Sequence, residues 1–194
     1  MRAVRSRLAR LRRRTTGDGG FSLIEVLVAM TLLSVVLLGA ERAVTDTMEA
    51  SLLAKEHSIA TGLVTQAMAE AVALPFQDLE EGLNQNADCP ALGGGNCLSH
   101  DPYLSYDGTA YQLTLNGVVQ PSAGSTVPVS NTKASEAPIV PEVTTVSQGV
   151  TYTVSAYPTV NSDQPKLVTV VVIVTWRSPS GNARVVGEDA IGQP

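Results

Sequence analysis

Glu25 is the strongest candidate for a functional side chain, because it is the one charged residue in an apolar run over residues 21–40. As an α-helix, such a run extends ~30 Å, about the thickness of a bilayer's hydrocarbon core. A carboxylate in hydrocarbon costs roughly 2.5–3.5 kcal/mol even on a lenient insertion scale, so Glu25 needs a partner. Just before the run, Gly20 offers a backbone without a side chain, which can lie close to a protease.

The six residues from Gly20 to Glu25 form a recognisable motif in its proper context. They read Gly-Phe-Ser-Leu-Ile-Glu and lie between a leader with seven arginines and the apolar run. This arrangement resembles the prepilin cleavage motif of type IV pilins and related pseudopilins, strongly over residues 1 to about 75 and loosely after that. The resemblance implies that a membrane-embedded prepilin peptidase cuts after Gly20 and N-methylates Phe21. It also implies that Glu25 pairs with the ammonium of Phe21 on an adjoining subunit.

Two other interpretations of the N-terminus compete with this one. A secretory signal peptide predicts an apolar run of about 7–15 residues and a small-x-small cleavage site. The run here is longer, and no clean site of that kind closes it. A simple membrane anchor explains the run and the arginines, but it leaves Glu25 as a snorkelling or protonated side chain.

The charge distribution restricts the partners of the chain. Residues 1–20 carry seven arginines and one aspartate, a net charge of +6, whereas residues 21–194 carry six basic and seventeen acidic residues, a net charge of −11. The basic leader should stay cytoplasmic, so the C-terminal part is expected outside the inner membrane. The acidic C-terminal part argues against direct nucleic-acid binding, which needs cations to displace counterions from phosphates.

Cys89 and Cys97 are the two cysteines of the chain and lie in one glycine-rich loop. In an oxidising, extracytoplasmic setting a disulfide between them is the default expectation. A metal site that adds His100 and Asp101 is the weaker alternative, because the ligands would be few and irregularly spaced.

Residues suited to catalysis are few. His57 is expected at a solvated position on a helix, and Asp101 and Asp107 are expected as solvated loop carboxylates rather than calcium ligands. The sequence contains no G-x-S-x-G, P-loop, G-x-G-x-x-G or H-E-x-x-H motif. We therefore predict no catalytic residue, no cofactor and no metal site, and an exported enzyme is the least favoured class.

A long helix must position the N-terminal motif. The apolar run continues into an amphipathic stretch as far as Leu74, where Pro75 disfavours further helix. We predict residues 21–40 as the transmembrane or filament-core half and residues 41–75 as the half that packs on a head. Charged residues are expected to lie off most of the apolar stripe, namely Glu41, Asp46, Glu49, Lys55, Glu56 and Glu70.

Residues 76–194 are predicted to form the head. Residues 110–115 alternate and lead into Asn116–Gly117, which is a hairpin signal. Residues 166–176 are β-branched almost throughout, so this strand should be central and buried on both faces. With strands near residues 150–160 and 183–186, the order predicts an α+β fold in which a long N-terminal helix packs on an antiparallel sheet. Type IV pilin heads are built in this way.

These expectations lead to a structural role. The resemblance implies a minor pilin of the pilus-modification type, anchored in the inner membrane and then assembled with other pilin subunits by pilus machinery. The filament would serve adhesion, motility, DNA uptake or secretion, and a pseudopilin is the alternative. A single-pass anchored binding module that never polymerises is the alternative from another class.

Overall fold

The computed structural model describes residues 22–84, 97–122, 124–129, 139 and 142–193. The helices are α1 (Leu23–Ala73), α2 (Phe76–Glu81) and α3 (Cys97–His100). The strands are β1 (Leu104–Tyr106), β2 (Tyr111–Leu115), β3 (Val118–Gln120), β4 (Ser125–Thr126), β5 (Glu142–Ser147), β6 (Val150–Asn161), β7 (Gln164–Ser178) and β8 (Gly181–Gly192). The chain forms two compact units, with the boundary between Ala50 and Ser51.

Helix α1 is continuous over 51 residues. It begins where the Ser22 carbonyl accepts hydrogen bonds from the backbone N–H groups of Glu25 (2.8 Å) and Val26 (3.2 Å). It ends at Ala73, since the residue before Pro75 is pushed out of the helical region by the proline ring. The predicted end of the helix is therefore confirmed to within one residue.

In the first unit, the described residues 22–50 are all exposed. Twelve large apolar side chains between Leu23 and Leu38 have 42–82% of their surface accessible. By length and composition, α1 is apolar enough to cross a membrane, a test that signal sequences near an N-terminus also pass. The segment thus carries apolar surface that needs a non-aqueous environment.

In the second unit, the last turns of α1 bury one stripe of side chains. The buried positions are Glu56, Ala60, Val64 and Ala71. Their spacings of four, four and seven residues place them on one face of the helix. Ala60 is fully buried, and its small side chain lets the helix backbone approach the sheet closely. The predicted apolar stripe is confirmed only in its second half, because Ala71 is buried and Ile59, Leu63, Ala67 and Leu74 are partly buried, whereas Val44, Met48 and Leu52 are exposed. The expectation that Glu56 lies off the buried face is wrong.

The main sheet has five antiparallel strands with β7 between β6 and β8. β5 pairs with the first half of β6, and β4 pairs with the end of β6. Residues Val168 and Val170–Val174 of β7 are at most 1% exposed. The prediction that this strand is central and buried on both faces is confirmed.

A second, three-stranded sheet in the order β1-β2-β3 adds to the head. Its β2–β3 turn is the predicted Asn116–Gly117 pair, with φ angles of 54° and 79°. Both residues have a left-handed backbone conformation, as a two-residue hairpin turn of type I′ requires. The α+β class, with a long helix packed on antiparallel sheets, is therefore confirmed.

Candidate functional site

Glu25 lies in the first turn of α1, with an exposed side chain. A carboxylate in this position interacts favourably with the partial positive charge of the helix N-terminus. Within the described residues its side chain has no hydrogen-bond or ion-pair partner, and its neighbours Leu23, Ile24 and Leu27 are exposed apolar side chains. The outside partner of Glu25 that the sequence predicts therefore remains a prediction.

The other polar side chains of the apolar run are satisfied within the helix. The Thr31 hydroxyl donates to the Val28 carbonyl at 2.8 Å, and the Ser34 hydroxyl donates to the Met30 carbonyl at 2.8 Å. Such back-bonding lets a hydroxyl enter an apolar environment without an unpaired donor. Among the polar side chains of residues 23–40, Glu25 is thus the one for which the described residues supply no hydrogen-bond or ion-pair partner.

Several predicted site residues lie outside the described part of the chain. Gly20 and Phe21 precede it, and Cys89 falls within the segment 85–96 that it does not include. Cys97 is the first residue of α3. Cleavage after Gly20, methylation of Phe21 and the disulfide between the two cysteines therefore remain predictions.

A buried polar contact holds the helix to the sheet. Glu56 is 4% exposed, and its Oε2 accepts a hydrogen bond from Nε1 of Trp176 on β7 at 3.0 Å. The ring of Tyr152 lies beside the indole, with centroids 5.8 Å apart. The Tyr152 hydroxyl is buried with no hydrogen-bond partner, and burial and the nearby Glu56 carboxylate both raise the pKa of Tyr152.

Sequence reasoning missed this contact. The spacing of Glu56, Ala60 and Val64 at four-residue intervals places all three on one helix face, which was a usable signal. What the sequence did not show was the partner, because Trp176 lies 120 residues further along the chain. His57 is exposed, as expected, and its ring lies nearly perpendicular to that of Trp176, with centroids 6.2 Å apart.

Asp101 differs from its prediction as a solvated carboxylate. It is only partly exposed, and it accepts hydrogen bonds from the Tyr157 hydroxyl (2.6 Å) and the Tyr103 N–H (2.8 Å). Burial raises the pKa of Asp101, and this effect exceeds the opposing effect of hydrogen bonds from the Tyr157 hydroxyl and from the backbone at Tyr103 and Leu104. Asp101 is therefore a structural anchor that ties the chain ahead of β1 to β6.

Asp107 is exposed, as predicted, and organises a turn. Its carboxylate accepts from the N–H groups of Thr109 (2.8 Å) and Ala110 (2.9 Å) and from the Gln112 amide (2.9 Å). These backbone hydrogen bonds lower the pKa of Asp107. In the part of the chain that the structure describes, no three His, Cys, Asp or Glu residues are grouped as a metal site requires.

Comparison with known proteins concerns the N-terminal segment. Residues 16–40 match the family model described as the prokaryotic N-terminal methylation motif. The matched range contains Gly20, Phe21 and Glu25. No curated protein and no solved structure matches the chain. The properties of the head must therefore be argued from its own structure.

Proposed function

We propose that this chain, a type IV pilin-like protein by its N-terminal methylation motif, is a minor pilin: a structural subunit that takes part in filament assembly, initiation or the filament tip. The motif match confirms the predicted resemblance to type IV pilins and pseudopilins. The observation that carries the proposal is that this motif leads directly into an exposed apolar helix.

The apolar segment of α1 supports a role in a membrane and then in a filament. Burying one large aliphatic side chain contributes roughly 1.5–3 kcal/mol. Twelve such side chains between Leu23 and Leu38 therefore strongly oppose an aqueous state of this segment. A bilayer satisfies it before assembly, and a bundle of like helices satisfies it afterwards.

When the helix moves from the bilayer into a bundle, Glu25 restricts the register in which neighbouring helices can pack. In a helix bundle with an apolar interior, an unpaired carboxylate is strongly destabilising, whereas one that meets an ammonium group is compensated. Cleavage after Gly20 would create that ammonium at Phe21, and N-methylation would retain its charge. Docking would then favour the register in which Glu25 of one subunit meets Phe21 of its neighbour.

Each segment of the chain has a proposed location before and after cleavage. Residues 1–20 remain cytoplasmic until the prepilin peptidase removes them, residues 21–40 anchor the chain in the inner membrane, and residues 76–194 lie outside it. Residues 41–75 complete the helix that carries the head. Other pilin subunits and the assembly machinery are the expected partners.

A pseudopilin of a secretion or DNA-uptake system is the second candidate. The methylation motif and the apolar helix support it as well as they support a pilin. The two candidates differ in the filament that incorporates the chain, because a pilus extends from the cell surface and a pseudopilus stays short.

N-terminal processing provides the decisive test. Mass spectrometry of the membrane-extracted chain should find an N-terminus at methylated Phe21, and cells without the prepilin peptidase should retain Met1. Chain in the sheared surface fraction would support a pilin, and cleaved chain confined to the envelope would support a pseudopilin. An intact leader in cells that process other prepilins would contradict both and favour a simple anchored module.

A further inference from the structure

A polar depression on the face of the main sheet opposite α1 is not used by the proposed assembly function. Its volume is about 630 Å³. Trp176 of β7 faces the helix through its contact with Glu56, so its neighbours Thr175 and Arg177 face the other way. These two residues form part of the floor.

The strand register explains the rest of the floor. Thr175 pairs with Thr153 of β6 on one side and with Arg184 of β8 on the other. Arg177 pairs with Asn182 of β8. Two adjacent rows of the sheet therefore present hydroxyl, amide and guanidinium groups on one face.

Two residues from the region of the smaller sheet form a wall. Tyr103 lies just before β1, and Asn116 lies in the β2–β3 turn. Arg184 donates a hydrogen bond from Nη2 to Oδ1 of Asn116, and it also interacts with the Tyr103 hydroxyl. These contacts fix the guanidinium of Arg184 before any ligand arrives.

Arg177 and Arg184 both line the depression, and among the described residues no acidic side chain lines it with them. Arg177 and Arg184 occupy diagonal positions on neighbouring strands, where backbones are about 7–8 Å apart and long side chains can meet. No ion pair of either arginine is found in the part of the chain that the structure describes, and no carboxylate is among the residues that line the depression. Two positive charges that line one depression repel each other, and an anion bound by both would relieve that repulsion.

The location of these charges contrasts with the rest of the head. Residues 76–194 contain four basic and eleven acidic residues, a net charge of −7, and both arginines of this segment line the same depression. A long polyanion would be repelled by the acidic surface around the depression. A ligand with an isolated anionic group would meet only the local positive charge.

We infer that this depression binds an acidic saccharide, with a sugar carboxylate held by Arg177 and Arg184 and its hydroxyl groups held by the threonine and asparagine side chains. The planar guanidinium fork matches a carboxylate and forms two parallel hydrogen bonds to it. Thr151, Thr153 and Thr175 each supply a hydroxyl that both donates and accepts, and Asn182 supplies an amide. Such a lining suits a hydroxyl-rich ligand better than an apolar one.

Calorimetric titration of the full chain in detergent tests this inference. The probe is a tetrasaccharide of alternating glucuronic acid and N-acetylglucosamine, and the neutral control is a tetramer of N-acetylglucosamine. Tetraglutamate serves as an acidic peptide. We expect binding of the acidic saccharide alone.

Arginine variants with a matched charge control locate the site. Replacing both arginines (Arg177→Gln with Arg184→Gln) should weaken binding by at least about tenfold, because charge-assisted hydrogen bonds are lost. The control pair Lys55→Gln with Lys166→Gln removes the same charge at exposed positions outside the depression, and should change affinity by less than about twofold. Thermal melts verify folding, and Arg177→Gln alone replaces the double variant if Arg184 is needed for stability.

Four outcomes would overturn the inference. They are no binding of the acidic tetrasaccharide at millimolar concentration, equal binding of the neutral tetramer, equal binding of tetraglutamate, and equal loss of affinity in the arginine and lysine pairs. Because none of these measurements involves cleavage or filaments, the inference and the proposed function fail independently.

Discussion

At the scale of single residues, Glu56 shows how one buried polar contact can fix the placement of a helix. Its carboxylate is removed from water, which is unfavourable unless hydrogen bonds replace the lost hydration. The indole N–H of Trp176 supplies one such bond. Because few other positions would satisfy both groups, the contact favours a single register of the helix on the sheet.

Removing the indole N–H of Trp176 should show how much the stability of the head depends on its hydrogen bond to Glu56. In Trp176→Phe, the Glu56 carboxylate stays buried without its donor, so the free energy of unfolding should fall by about 1–3 kcal/mol from that loss alone. Denaturant unfolding of the detergent-solubilised chain measures the change. In a Glu56→Leu background the same tryptophan substitution should cost less, and an equal cost in both backgrounds would contradict the coupling.

The unpaired Tyr152 hydroxyl allows a prediction of the opposite sign. Tyr152→Phe removes a buried polar group that has no hydrogen-bond partner, and it leaves the ring in place. The free energy of unfolding should stay unchanged or rise by up to about 1–2 kcal/mol. A loss of more than about 1 kcal/mol, measured by denaturant unfolding, would show that the hydroxyl forms a stabilising contact.

Glu142 should give the head a measurable pH dependence. Burial, and secondarily the Asp101 carboxylate, raise the pKa of Glu142 in the folded chain above its usual value of 4.5. The folded state then binds more protons than the unfolded state, so this contribution is present below pH 4.5 and is lost as the pH rises through the folded pKa.

The variant Glu142→Gln should therefore gain stability relative to the wild type as the pH rises above 4.5. Melting temperatures of the two chains between pH 4 and 8 measure the difference. Glu188→Gln, at an exposed position of β8, is the matched control and should show a smaller trend. A difference between Glu142→Gln and wild type that does not vary with pH would contradict the expectation.

At the scale of elements, the close approach of α1 to β8 depends on Gly187. A Cβ atom at this position would lie 2.5 Å from Cγ1 of Val64 and 3.4 Å from Cε of Met68. Val64 is β-branched and therefore has little rotational freedom on a helix. The helix face and the strand thus fit together only with a glycine here or after some shift of the helix.

The substitution Gly187→Ala should consequently destabilise the head by about 1–3 kcal/mol, as overpacking does. Denaturant unfolding again provides the measurement. Gly192→Ala on the same strand is the control, because a Cβ there would meet nothing within 4 Å. Adding Val64→Ala should recover part of the loss, and equal effects of the two alanine substitutions would refute the steric explanation.

The elements that the sequence predicted are those with strong local signals. The β-branched run of β7, the Asn116–Gly117 turn and the stop at Pro75 each arise from neighbours in the chain. The sequence indicated a short strand near residues 143–146, where β5 (Glu142–Ser147) lies, but it predicted three strands in the main sheet where the structure has five. The serine, threonine and proline residues around β4 and β5 give little periodicity from which to assign them to this sheet.

The parts that escaped prediction depend on contacts between distant residues. The pairing of Thr175 with Arg184 needs the register of β7 against β8, and the Tyr157–Asp101 hydrogen bond joins residues 56 positions apart. Burial of Glu56 depended on the position of Trp176. The N-terminal motif was predictable because its residues are contiguous, whereas the polar depression is lined by residues from five separate segments of the chain.

At the scale of the whole molecule, Glu25 should matter for assembly and not for processing. Glu25→Leu should still be cleaved after Gly20, but its amount in sheared filaments should fall by at least about tenfold if the ion pair sets the docking register. Quantitative immunoblotting of sheared and membrane fractions measures the ratio. Glu41→Leu, on the same helix just beyond the apolar run, is the matched control, and equal incorporation of both variants would argue against the register role.

Strand β8 is an edge strand of the main sheet, and this has a consequence under the proposed assembly of the chain into a filament. Within the described residues it pairs with β7 alone, so its outer side offers unpaired backbone donors and acceptors along Gly181–Gly192. Arg184, Glu188 and Asp189 are exposed along this strand, and charges there discourage another strand from adding to the sheet. In a filament of the proposed kind, where heads would lie side by side, these charges would oppose pairing of β8 between neighbouring heads and so oppose aggregation.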